Sequence, residues 1–84
     1  MTPAEIARRL TARELWCIRA GSARYGTRWQ DWTAIKARGL AYAHDNGAAR
    51  RMCRGRPVGR WTWRLTPLGR EVRAIIEQEA RDGR

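Results

Sequence analysis

Apolar residues recur at helical spacing near the start of the chain, where Leu10, Leu15, Cys17 and Ile18, with Trp16 beside them, form a stripe that stops at Ala20-Gly21-Ser22. Gly21 suits the left-handed C-cap that ends such a stripe. Upstream, Thr2-Pro3-Ala4-Glu5 places an N-cap hydroxyl, a proline at the first helical position and a glutamate three residues after the cap. Thr11-Ala12-Arg13-Glu14 repeats the capping signature. The N-terminal helical region, 2–20, is therefore either one continuous helix or two, and the spacing leaves both open.

Residues 21–27 contain two glycines and small polar residues and read as a connector. A second helical pattern spans 28–38, with Trp32 and Ile35 on one face. It closes on Arg38-Gly39-Leu40, a basic last turn followed by a glycine and an apolar residue, which predicts a Schellman stop. Leu40 to His44 reads as a strand, and Asp45-Asn46-Gly47 as a turn that opens a hairpin arm. Trp61-Thr62-Trp63-Arg64-Leu65 alternates at period two, which predicts Trp61, Trp63 and Leu65 inward and Thr62 and Arg64 outward. Between the strands, Ala48 to Arg60 reads as a solvent-projecting loop whose regularity is broken by Gly55, Pro57 and Gly59. Thr66-Pro67 opens a last helix over 67–80, with Leu68, Val72, Ile75 and Ile76 on its apolar face. The expected fold class is mainly α with a small β-hairpin (α+β), one domain over 1–84, its hairpin covering 40–65.

Length changes this picture little, because 84 residues suit one small domain with a thin core. Charge changes it more. Lys and Arg number 18 against 8 acids, a formal charge of +10, and the 43% hydrophobic content with five Trp is too high for a disordered basic tail. All the basic residues but Lys36 are arginines, a bias that a GC-rich genome alone would produce, so position is better evidence than the total. The stretch from Asn46 to Arg70 holds seven arginines and no acid. It concentrates the excess in a way compositional bias would not arrange.

No apolar run reaches the roughly 18 residues of a membrane span, and Met1 to Leu10 alternates charged with apolar side chains, unlike a signal peptide. A cytoplasmic location is expected, with no membrane partner. Cys17 and Cys53 are expected as free thiols, since neither has zinc-ligand spacing and cytosolic disulfides are scarce. Ser22 is the sole serine, His44 the sole histidine, and the acids are scattered. Neither a catalytic site, a metal nor a cofactor is expected.

The stretch Trp32 to Leu40 with its terminal Arg38-Gly39-Leu40, followed by Trp63-Arg64-Leu65-Thr66-Pro67-Leu68-Gly69-Arg70-Glu71-Val72, resembles a winged helix-turn-helix domain. The likeness is to MarR-like and PadR-like regulators and to small phage-type winged-helix proteins, and it covers roughly Thr11 to Ile76. The short connector before Arg28 departs from those families, because it leaves little space for their extra helix unless Thr2 to Ala20 supplies two.

The resemblance implies that Trp32, Ile35 and Leu40 are core, and that Arg28, Gln30, Thr33, Lys36 and Ala37 lie on the exposed face of a recognition helix. Such a helix presents its N-terminal half to base edges, where Arg pairs with guanine and Gln with adenine. Asp31, a carboxylate near phosphates, is read as a helix cap. Arg50, Arg51, Arg54, Arg56 and Arg60 would sit on the wing, with Arg64 on its second strand, reaching phosphates or the minor groove. Five to seven such contacts predict a slope of log K on log salt of about −4.5 to −6. The loop is expected to order only on contact.

Each assignment has a plainer reading. The arginines are also what a solvated, solubilising loop would carry. Trp61 and Trp63 are expected in the core rather than stacked on bases, Trp29 either flanks the core or stays exposed, and Cys17 is a small core side chain. The last helix either packs only on its own domain or pairs with a second copy as a homodimer. Two functions are expected: a transcriptional regulator that reads double-stranded DNA, or a phage-type protein-interaction module, anti-CRISPR-like, that docks on a host protein complex. Fold alone does not separate them.

Overall fold

The computed structural model describes residues 1–22 and 27–83, so the connector read over 21–27 lies, at 23–26, outside the described residues. The two capping signatures each start a helix. In α1 (Pro3–Arg9) the Thr2 hydroxyl accepts from the Glu5 N–H, and in α2 (Ala12–Ala20) Thr11 and Glu14 complete a reciprocal capping box. The chain between them is extended at Leu10 and Thr11, which settles the choice between one helix and two. Gly21 ends α2 at φ +75°, its N–H on the Cys17 carbonyl.

α3 (Trp29–Ala37) ends as its glycine requires. Gly39 sits at φ +79°, its N–H bonds Lys36 O at 2.9 Å, and the Leu40 N–H bonds Ile35 O at 3.0 Å. This is the Schellman pattern. It turns the chain so that Leu40 is fully buried and Ala41 begins β1 (Ala41–Asp45). β1 pairs antiparallel with β4 (Trp61–Leu65), Ala41 opposite Leu65 and Asp45 opposite Trp61. Ser22 forms an isolated bridge to Arg64, on the edge of β4 that β1 leaves open.

α4 (Pro67–Asp82) is capped by Thr66, whose hydroxyl accepts from the Gly69 N–H at 3.0 Å and also reaches Gly39 O at 2.7 Å. The same residue's N–H bonds Leu40 O. Thr66 therefore ties the start of α4 to the end of α3. Gly69 completes the junction, because a Cβ there would overlap the Leu40 carbonyl oxygen. The Leu-Thr-Pro-x-Gly sequence thus has a packing reason, which is close approach of two backbones.

One core runs through these elements: Ile6, Cys17, Ile18, Trp32, Ile35, Leu40, Ala41, Trp63, Leu65, Val72 and Ile76. α1 and α2 pack on α4, α2 also on α3, and α3 on β1. The Trp32 and Trp63 rings stack at 5.9 Å, filling volume that a short chain could not fill with aliphatic side chains. Both cysteines are free, and burial pushes the Cys17 thiol up to about 11, so it behaves as a small apolar side chain. No described helix is long and apolar enough to cross a membrane. The architecture is α+β, with four helices and small antiparallel sheets among the described residues.

Two expectations fail. Trp61 is 53% exposed, although period two assigns it inward beside Trp63 at 4%. The α3 rings of Trp29 and Trp32 reach Trp63, whereas Trp61 lies opposite Asp45 at the far end of the pair, and it is absent from the core. Alternation fixes the face of a strand but not how far the covering layer extends. Nor are residues 48–60 an irregular loop that waits for a partner. They form a second antiparallel ribbon, β2 (Arg51–Cys53) with β3 (Arg56–Val58), joined by Arg54-Gly55. The turn residues stand at φ +53° and +77°, the sign that a two-residue type I′ hairpin demands at both positions. Pro57 is tolerated because a two-stranded ribbon consists only of edges, where a missing donor breaks no interior ladder.

Candidate nucleic-acid interface

The exposed face of α3 follows from its buried one. Trp32 and Ile35 are buried, which turns Gln30, Thr33, Lys36 and Ala37 outward, with Arg28 exposed at the N-cap. Asp31 sits at the third helical position. Its carboxylate accepts the Arg28 N–H at 3.1 Å and pairs with Arg13 Nη2 at 2.6 Å. The Arg13 hydrogen bond holds the Asp31 carboxyl below its ordinary value against a smaller opposing effect of burial. Asp31 is thus committed to capping α3 and docking α2, as the sequence reading of a cap expected. Thr33 donates its hydroxyl to Gln30 O at 2.8 Å, leaving the Gln30 side chain exposed.

α3 is oriented by its two ends. Its C-terminal side leads through Leu40 into Ala41, opposite Leu65, while Trp29 at its first turn lies 4.8 Å from Trp63. The N-terminal half, with Arg28 and Gln30, therefore points towards the Trp61 end of the sheet, where the β2–β3 ribbon is rooted. Trp29 itself is 59% exposed, resolving its place as a flank of the core with an open outer side.

Asn46 anchors the ribbon. Its N–H bonds Arg60 O at 2.7 Å, and its side-chain amide donates to Gly59 O at 2.8 Å and Arg60 O at 2.9 Å. The Arg50 N–H to Val58 O bond, at 2.9 Å, continues the pairing outwards. Asp45-Asn46-Gly47 is therefore the hinge between two ribbons rather than a hairpin turn. The register puts Arg51 opposite Val58, Met52 opposite Pro57 and Cys53 opposite Arg56. Alternation then gives one face with Arg51 and Arg56 and another with Met52 and Pro57. Every residue from Gly47 to Pro57 is exposed. Among the described residues, Arg50, Arg51, Arg54 and Arg56 form no ion pair.

Arg60 differs from its neighbours. Its guanidinium donates to both Asp45 oxygens, at 3.1 and 3.3 Å, and lies 5.6 Å from the Trp61 ring centroid. The Asp45 contact raises the Arg60 pKa and lowers that of Asp45, so the pair is charged and its net field small. Arg64 stands apart from the ribbon as well, next to the last residue of β4 and opposite Tyr42. The ten expected residues thus divide: Arg28, Gln30, Thr33 and Lys36 on α3, Arg50, Arg51, Arg54 and Arg56 on the ribbon, Arg60 paired at its root, and Arg64 on the sheet face away from Trp63.

The sequence pattern missed Trp61 as a surface aromatic beside the ribbon root, and Arg70 and Arg73 as partners of Arg64 in one groove. A signal existed for the second, since positions 70 and 73 are one helical turn apart on the polar face of α4. None existed for the first. No cluster of three or more potential metal ligands occurs among the described residues. No protein-family model, curated protein or solved structure matches the chain.

Proposed function

We propose that the chain is a DNA-binding regulator of winged helix-turn-helix type, with α3 as its recognition helix and the β2–β3 ribbon as its wing. The observation that carries this reading is Arg54. It occupies the first central position of the hairpin turn at φ +53°, where Asn or Gly is favoured and most side chains cost of order 1 kcal/mol. A strained arginine at the tip of an acid-free ribbon, with Arg51 and Arg56 behind it, is accounted for by a polyanion that the tip must reach. The N-terminal half of α3 points to the same end of the molecule, which allows helix and ribbon to engage one duplex together.

Pairing of Arg60 with Asp45 removes one charge from the expected set. Four ribbon arginines on phosphates give a salt slope of about −3.6, to which Arg28 and Lys36 add. Fluorescence-anisotropy titrations with duplexes of varied sequence, repeated across salt, test the proposal. The expected result is sequence-selective binding that weakens steeply with salt. Arg54→Glu with Arg56→Glu lowers affinity for every sequence and flattens the slope by about 2, whereas Gln30→Ala costs about 1–3 kcal/mol only on the preferred sequence. Weak binding that ignores sequence would overturn it.

That outcome would favour the second reading, a phage-type interaction module on a host protein complex. Its supporting observation is the apolar side of the ribbon, where exposed Met52 lies opposite Pro57. Homodimerisation through α4 stays a separate proposal. Its outward positions include Glu71, Ala74, Gln78 and Arg81, and sedimentation equilibrium decides whether that face pairs.

A further inference from the structure

The sheet face that turns away from α3 carries a groove of about 510 Å³ that shares only Arg50 with the proposed DNA contacts. Among the described residues, Arg50 at the ribbon root, Arg64 on β4, and Arg70 and Arg73 on α4 line it, together with Tyr42 and Ser22. No acidic side chain among the described residues lines it. Arg64 and Tyr42 are cross-strand partners and alternate with the buried Trp63 and Ala41, so their side chains leave the sheet on the face opposite the core.

Backbone geometry makes room for one of these cations. A Cβ on Gly21 would stand 2.7 Å from Arg73 Nη1, so the glycine required by the left-handed end of α2 also seats the guanidinium. Glu77 holds the near end of that guanidinium, its Oε1 3.2 Å from Arg73 Nε. The Nη end is thereby directed to Gly21 and the groove. Arg64 forms no ion pair among the described residues, and neither does Arg70. Like charges held together without a counter-ion are a standing cost, relieved by an anion that several guanidinium forks can share. The volume falls in the range of small-molecule sites, roughly 300–1,000 Å³.

We infer that this groove is a binding site for a small phosphoanion with two or more negative charges, free in solution rather than part of a nucleic-acid backbone. Planar guanidinium forks match phosphate oxygens bidentately, and the Tyr42 ring beside them offers a surface for an attached base. The groove opens on the face opposite α3, so that Arg50 alone is shared with the surface proposed to read DNA. The inference goes beyond that reading and does not depend on it.

Isothermal titration calorimetry of the full chain with inorganic pyrophosphate, without DNA, is the test. One saturable site is expected. Arg64→Gln with Arg73→Gln should weaken it about tenfold or more, and Arg70→Gln alone, at an exposed position that places no demand on the strand, should weaken it several-fold. Arg54→Gln with Arg56→Gln, outside the groove, should leave it within about twofold. Non-saturating heats, or equal losses in the ribbon and groove variants, would show diffuse attraction and overturn the site. A parallel titration with a short duplex separates the two sources of phosphate. Duplex affinity held within about twofold in an Arg70→Gln, Arg73→Gln protein, whose changed residues lie outside the expected DNA contacts, supports a free phosphoanion, whereas a matching loss, with pyrophosphate displaced by the duplex, would assign the groove to nucleic acid instead.

Discussion

The α1–α4 layer with β1 and β4, and the β2–β3 ribbon that grows out of it, are two regions of one chain held by different physics. The first buries every core side chain, and its hydrogen bonds lock backbone to backbone at the α3–α4 junction. The second buries nothing in that core; a two-residue turn and the Asn46 anchor hold its shape. The molecule is also elongated: the radius of gyration is 14.2 Å, where about 12 Å is typical of a compact chain this long. The ribbon's charge is therefore kept apart from the packing that stabilises the fold. Residues can change on the ribbon with little effect on folding, which is the condition under which a surface can be shaped for a partner.

The sharpest way to break this contrast is within β4. Trp63→Ala should cost about 3–5 kcal/mol, with the loss of its stacking on Trp32 and Trp29, whereas Trp61→Ala, two residues away, should cost less than about 1. Thermal melts compare them directly, since 1 kcal/mol moves the midpoint of a domain this size by about 4–8 °C. Equal shifts would mean that the covering layer reaches Trp61. Next comes Gly69→Ala, expected to cost about 3 kcal/mol because the methyl would push α4 off the Leu40 carbonyl. A neutral result would show that the junction is loose.

A smaller effect concerns Glu14, 5% exposed and bound by Arg38, which also donates to Arg9 O at 3.3 Å. The Arg38 hydrogen bond lowers the Glu14 pKa from its ordinary 4.5, and burial opposes this less strongly. A carboxyl depressed in the folded state stabilises at pH above its unfolded value and loses that contribution as pH falls through the folded one. Glu14→Gln should therefore cost about 2 kcal/mol at neutral pH, and the gap from the parent should close as pH drops below about 4.5. Urea melts at both ends of that range measure it, and a gap independent of pH would assign the loss to packing. The smallest effect belongs to the ribbon: Arg54→Glu with Arg56→Glu should shift stability by less than about 0.5 kcal/mol. A large loss would place the ribbon in the fold's energetics and erase the contrast.

Local signals in the sequence were reliable wherever one short segment decides the outcome. Thr2, Thr11 and Thr66 cap helices, Gly21 and Gly39 end them, and Asp31 caps α3, because each depends on bonds within a few residues. The Arg-rich stretch was legible as charge but not as shape. Gly55, Pro57 and Gly59 look like breakers, and Arg at the first turn position hides the hairpin, since a type I′ turn is ordinarily announced by Asn-Gly or Asp-Gly. Arg60 looked equivalent to the other arginines until strand pairing placed Asp45 beside Trp61 and brought the two charges together across fifteen residues.

Capping, periodicity and charge, all read within one turn of helix or one pleat, thus determined where the helices lie, which face of β4 is apolar, and that a cationic segment separates two strands. Tertiary structure alone decided how far the core extends along β4, which of the arginines between the two strands is neutralised, and that Arg64, Arg70 and Arg73 share a groove with Gly21. These depend on the meeting of residues distant in sequence, and no local pattern encodes which distant surface comes to rest on which.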